Sequence, residues 1–308
     1  MACHEEHCYL LQVAIGRSAW GQRSKKNNGA FAKYTGWQAL GKDVYNRMST
    51  ISDTLGDWMW HMAPWAEAAV QYGAARVIAD LRRGDEESAA LKAAFLSHYV
   101  VDPLAVSHAW LYLMGEIWEF DDDKTLHEVY HDPVEYPIGK HLHEVVLDPP
   151  VPPCPPSTGG RPAFSQLYTD CLKEAFVIGR HILEEFRGAK NFLPIVKTGV
   201  KNSARCLPAF FDDLHQGALS LADTDAVQWA GQRWMGRLFL DWPAERIRTQ
   251  LFRPETIALL KKDMGYEGAD VFFRPDRCSP DARHDYRLFQ EAREAWRKRM
   301  GIEHRVKP

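Results

Sequence analysis

Between Phe95 and Val106 the chain sets a histidine and an aspartate into a largely apolar run and interrupts it with a proline. Leu91, Phe95, His98 and Asp102 follow one another at spacings of four, three and four residues, so on a helix they share one face. Pro103 lacks an amide hydrogen and restricts the residue before it, which predicts that the helix ends or kinks at Asp102. An imidazole and a carboxylate on a buried helix face are costly unless something satisfies them. A chain built around this run must either hydrogen-bond the pair within its core or bring further ligands to it.

The surrounding sequence is helical in pattern. Val70, Ala74, Val77, Ile78 and Leu81 recur at three-to-four spacing over about residues 64–81, and Gly84 closes that run. Asp85, Glu86 and Glu87 then supply a cap and an acidic first turn for the helix that carries His98. Residues 148–162 contain seven prolines and two glycines and read as an exposed loop. Amphipathic helices follow at about 165–186, ending at Gly188, and at about 200–221. Residues 225–308 read as short helices broken at Pro243, Pro254, Pro275 and Pro280. Convincing strand alternation is nearly absent and no internal repeat is visible. The expectation is an all-α fold, with a helical domain over residues 1–224 and a helical C-terminal extension over 225–308.

Composition narrows the function classes. A net charge of −3 gives no global basic footprint for nucleic acid. Hydrophobic residues at 45% and charged residues at 26% exclude wholesale disorder. The longest apolar stretches, such as residues 9–15, fall far short of the roughly 18 residues of a membrane helix. No basic segment followed by a long apolar core opens the chain, so a cytoplasmic location is expected, or secretion if the N-terminus is processed or truncated. Cys3, Cys8, Cys154, Cys171, Cys206 and Cys278 show no C-x-x-C spacing, which suits reduced and partly buried thiols.

The histidines carry the chemistry. Nine of thirteen lie before residue 144, most with a carboxylate nearby, and imidazole with carboxylate is the ligand set of zinc and similar ions. His98 and Asp102, one turn apart, can reach one ion, while His108 lies past the proline and suits a second. Asp53 and His61, with Asp57 between them, sit among Trp58, Trp60 and Trp65. His127-Glu128-Val129-Tyr130-His131 is literally H-E-x-x-H, the zincin pattern, with Glu128 as its general base. Pro133 argues against the long helix such motifs need, and no third ligand stands at metzincin spacing. If Met1 is removed, the Ala2 amine lies five residues from His7, and a neutral amine can bind metal.

Taken together, residues 2–222 resemble the zinc-dependent phospholipase C superfamily, which includes the single-strand-specific nucleases. The segment His98-x3-Asp102-x5-His108, with its lead-in Ala93-Ala94-Phe95-Leu96-Ser97, resembles the central motif of that superfamily. His7, Asp53 and His61, the segment Thr125–His131 and the helix around residues 203–211 are similar to its other elements. His131 stands where an acid is usual, and the Asp53–His61 separation is short, so Asp57 competes with Asp53.

The resemblance implies two to three zinc ions. One would be held by Asp53, His61, His98 and Asp102. A second would be held by His108, His127 and His131, or by His131 and Glu135 in place of the His127–His131 pair. A third would lie at Ala2, His7 and a bridging Asp102. It also implies phosphodiester hydrolysis by activated water, with Asp53 or Asp57 as the carboxylate that orients or deprotonates that water. The expected substrate is a phospholipid first and a single-stranded nucleic acid or nucleotide second. Eleven tryptophans could stack a base or box a quaternary ammonium, although core packing accounts for most of them. An H-E-x-x-H metalloprotease and a non-catalytic helical module are the readings from other classes.

Overall fold

The computed structural model of the 308-residue chain describes residues 4–32, 44–55, 58–105, 108, 163–185, 193–263 and 279–301. Within them every regular element is helical: α1 His4–Arg17, α2 Ala19–Lys26, α3 Val44–Leu55, α4 Trp65–Arg82, α5 Glu86–Val101, α6 Ala163–Glu185, α7 Leu193–Gln216, α8 Thr224–Arg233, α9 Arg237–Leu240, α10 Ala244–Arg246, α11 Pro254–Asp263 and α12 Pro280–Met300. Tight 3-10 turns at Trp58–His61 and Asp102–Leu104 precede α4 and follow α5. The fold is all-α, as the periodicity predicts. No helix among the described residues is long and apolar enough to cross a membrane.

The centre of the molecule is the pair α4–α5, with α3 packed against α5. Gly84 makes the turn between the pair, at φ +79°, a left-handed conformation that side chains resist. Asp85 caps α5 by accepting a hydrogen bond from the Ser88 amide at 3.1 Å. The last residue of α5 is Val101, Asp102 is its C-cap, and Pro103 sits in the 3-10 turn, where its missing amide does no harm. All residues of α5 from Ser88 to Val101 are buried, which is why its apolar pattern runs nearly all round the helix.

Residues beyond 224 share this core. Trp234 is fully buried and stacks on Phe95 of α5, with centroids 5.6 Å apart, while its ring meets the edge of Tyr99 at 5.1 Å. Helix α12 docks on α4 through Trp296, whose indole donates to Glu67 Oε1 at 3.0 Å, and through Arg299, which donates to Glu67 Oε2 at 3.0 Å.

Two expectations are corrected. The helix expected at about 200–221 runs from Leu193 to Gln216 and stops at Gly217, with φ +69°. The C-terminal region is not made only of short helices, because α12 extends over 21 residues. Pro280 stands in the first turn of α12 and Pro254 is the first residue of α11. A proline there fixes a helical φ and forfeits an amide that has no helical partner, so it opens a helix instead of breaking one. The loop at 148–162, Pro275 and Cys3, Cys154 and Cys278 lie outside the described residues. Cys8, Cys171 and Cys206 are buried thiols that form no disulfide.

One buried ion pair locks α4 to α5. Lys92 Nζ lies 2.6 Å from Asp80 Oδ2, both side chains are 2% exposed, and Ser88 Oγ donates to the same oxygen at 2.9 Å. Arg83 holds the other oxygen. Asp80→Asn leaves the Lys92 ammonium buried without its counter-charge and is expected to cost about 3–5 kcal/mol in urea denaturation. Adding Lys92→Met to Asp80→Asn should recover most of that loss. An Asp80→Asn protein as stable as the native chain would contradict this account.

Candidate functional site

Asp102 sits at the end of α5 with its side chain fully buried, and four imidazoles converge on it. His98, one turn back on α5, places Nε2 3.0 Å from Asp102 Oδ2. His61, ending the 3-10 turn before α4, places Nδ1 2.9 Å from the same oxygen. His7 of α1 reaches Oδ1 with Nε2 at 3.1 Å, and His108 approaches Oδ2 with Nε2 at 3.7 Å. Asp53 of α3 completes the group, its Oδ1 3.3 Å from His98 Nε2.

The rings are held firmly. His7 lies parallel to His98 at a centroid distance of 3.9 Å, and His61 is edge-on to His98 at 4.7 Å and to Tyr99 at 5.4 Å. His98 Nδ1 donates to the backbone carbonyl of Ser49 at 2.9 Å. That bond fixes the orientation of the ring and, in the neutral imidazole, leaves the Nε2 lone pair directed at Asp102 and Asp53. Metal-ligating histidines are oriented in this way, with the far nitrogen tied to a carbonyl or carboxylate. Ser49 and Asp53 are one turn apart on α3, so a single helix supplies both the anchor and a ligand atom.

The short distances are not matched by hydrogen-bond geometry. His7 Nε2, His98 Nε2, Asp53 Oδ1 and both oxygens of Asp102 are buried atoms without a hydrogen-bond partner. Buried polar atoms are normally paired, and the exceptions need a reason. Here the potential ligand atoms of several side chains lie close together. Ligand atoms of His7, His98 and Asp102 lie within 4.8 Å of one another, and so do those of Asp53, His61 and His98. Two carboxylates and at least three imidazoles make the donor set that suits zinc, so the residues fit the ion.

Charge in the cluster is strongly coupled. Burial works against a charged His98, but Asp102 and Asp53 outweigh it and push this imidazole up to about 10. Burial, and then the neighbouring His98, lowers His7 below its ordinary value. Burial would raise Asp102, yet the imidazoles of His108, His98, His61 and His7 hold it well below the usual carboxylate range. Asp53 is lowered too, burial again being outweighed by His98, His7 and His61.

Of the residues singled out in the sequence, the structure brings together His7, Asp53, His61, His98, Asp102 and His108. His7 lies in the same cluster as Asp53 and His61, with its ring stacked on His98. Ala2, Asp57, His127, His131 and Glu135 lie outside the described residues. Sequence reasoning missed the Ser49 carbonyl, which no side chain announces, and the role of α3 in holding it one turn from Asp53. Comparison of the chain with protein-family models, curated proteins and solved structures gives no match.

The charge state of His98 yields a prediction. An imidazole that keeps its proton up to about pH 10 must lose it when Nε2 takes a cation. Zinc added to metal-depleted protein at pH 7 should therefore release about one proton per His98-bound ion, with affinity rising as pH rises toward that value. Calorimetric titration in two buffers of different ionisation enthalpy reads the release directly. Zinc uptake with no buffer dependence would show that His98 is not a ligand.

Proposed function

We propose that the chain is a zinc-dependent phosphodiester hydrolase, related in its chemistry to the phospholipase C and single-strand nuclease superfamily that its histidine motif resembles. The observation that carries this reading is the cluster itself. A fully buried carboxylate meets imidazoles from α1, the turn before α4, and both sides of Pro103, and the ligand atoms of His7, His98 and Asp102 and of Asp53, His61 and His98 lie within 4.8 Å of one another. A core His–Asp pair would close its hydrogen bonds, as Asp80 and Lys92 do.

Zinc held by Asp53, His61, His98, Asp102 and His7 would supply Lewis acidity toward a phosphoryl oxygen and make water more acidic. The protein's own groups do the rest. Asp102, in contact with four imidazoles, fixes their relative positions. Ser49 pins His98 by its far nitrogen, so the ring cannot turn its lone pair away. Asp53 is the carboxylate placed to accept a proton from an attacking water, because its side chain is 17% exposed whereas those of His98 and Asp102 are fully buried. The remaining imidazoles lie too deep to meet solvent directly.

Two substitutions test the reading. Asp102→Asn keeps the shape of the side chain and removes the charge shared by four imidazoles. Zinc content by mass spectrometry should fall by about one ion per chain or more, and hydrolysis of bis(p-nitrophenyl) phosphate should collapse. Full occupancy with near-native turnover in a folded Asp102→Asn protein would sink the proposal.

Glu128→Gln separates this reading from a metalloprotease. In a zincin that residue activates water, and its loss abolishes turnover with zinc retained. In the proposed hydrolase Glu128→Gln keeps most phosphodiesterase activity. A loss of about a hundredfold or more with zinc intact, together with casein cleavage by the native chain, would promote the protease.

A further inference from the structure

Among the described residues, an open cleft reaches the cluster at Asp53. It lies between α3 and α11, holds about 550 Å³, and has Asp53 among its lining residues. Asp53 is also the cluster residue, among those described, whose side chain reaches solvent, so this cleft connects solvent to the cluster. Its floor is apolar, with Ile51, Phe252 and Ile257, and its rim carries Arg47 from α3 and Lys261 from α11.

The two cations are free to bind an anion. Neither has an ion pair among the described residues, in a chain whose net charge is −3. The Arg47 guanidinium is nevertheless held in place, 3.9 Å over the ring of Phe252. A cation placed over an aromatic face keeps its N–H groups available around its edge. Asp53 is the one carboxylate among the described residues that line the cleft, and in the proposed function it is engaged at the cluster.

Resting on that function, we propose that the α3–α11 cleft is a second anion subsite in which Arg47 and Lys261 take a further phosphate of the substrate, beside the one that is cleaved. The cleft then selects for phosphodiesters that carry an additional phosphate and against those with a quaternary ammonium headgroup. Arg47 and Lys261 repel such a headgroup, and Phe252, the aromatic residue in the lining, already has Arg47 over its ring. The second phosphate can come from the neighbouring link of a nucleotide chain or from a phosphorylated lipid headgroup. Arg47 and Lys261 would act as specificity residues, 214 positions apart in the chain and brought together by the packing of α11 on α3.

The test compares dithymidine monophosphate with the same compound carrying a 5′-phosphate, and glycerophosphoinositol with its 4-phosphate. The native chain is expected to prefer the phosphorylated member of a pair by about tenfold or more in kcat/KM, expressed mainly in KM. The Arg47→Ala/Lys261→Ala protein should bring that ratio to about 1, while Arg47→Lys/Lys261→Arg keeps most of it. Preference confined to the first pair assigns the phosphate to a nucleotide chain, and preference confined to the second assigns it to a lipid headgroup.

A second readout does not depend on turnover. Inorganic phosphate binding to metal-depleted full-length protein, followed by ³¹P NMR, should weaken in the double alanine variant. Hydrolysis with equal ratios in native and double-alanine proteins overturns the subsite and leaves the proposed function standing. No hydrolysis by the native chain overturns the proposed function. Phosphate binding then decides the cleft alone, with equal binding in both proteins counting against it.

Discussion

The Asp102 carboxylate is the constraint on which this structure turns. A charge taken wholly out of water costs several kcal/mol unless opposite charge and hydrogen bonds replace the lost hydration. Here the replacement comes from four histidines on different parts of the chain: α1, the turn before α4, α5, and the residue just past the Asp102–Leu104 turn. Each of those elements must be in place before the charge is compensated. The site and the core are thus one construction, because α1, α3, α4 and α5 hold the ligands only when they pack on each other.

Helix α5 carries two buried polar centres, and their contrast is informative. At Lys92 the ammonium, Asp80, Ser88 and Arg83 satisfy one another, and the result ties α4 to α5. At His98 and Asp102 the nitrogen and oxygen lie 3.0 Å apart, yet without hydrogen-bond geometry. Buried ion pairs are weak sources of stability even when satisfied, and an apolar replacement often does as well. A cluster that leaves several buried donors directed at a common space is therefore poorly explained as a stabilising device. A positive ion would be met by three ligand atoms in either of two groups, His7, His98 and Asp102 or Asp53, His61 and His98, which is why the zinc proposal rests on this cluster.

What the sequence disclosed depended on the range of the interaction. The α5 helix, its Asp85 cap, its end at Asp102 and the shared face of His98 and Asp102 are local matters of spacing and backbone chemistry, and all were legible. The convergence of His7 and His61 on the same carboxylate was suggested by resemblance, since no spacing rule links residue 7 to residue 102. The Ser49 carbonyl was not legible at all, because a backbone acceptor leaves no mark in residue type. The C-terminal prolines misled for a physical reason. Proline breaks a helix interior but opens a helix at its first turn, and Pro280 and Pro254 stand at the latter kind of position.

The depth of the cluster bears on how any substrate could reach it. The side chains of His7, His61, His98, Asp102 and His108 are all exposed by 2% or less, and among the described residues of the cluster Asp53 is the one whose side chain reaches solvent. A lone carboxylate at that entrance would repel an anionic substrate. The cations of the neighbouring walls offset the repulsion, and His98 beside Asp53 partly neutralises it from within. The electrostatics of entry thus depend on α11 as much as on the motif around Asp102. Helix α11 belongs to the C-terminal region that lies beyond the span of the family resemblance. On the proposed function, the cluster would set the reaction and the packing of α11 against α3 would set which phosphate esters reach it.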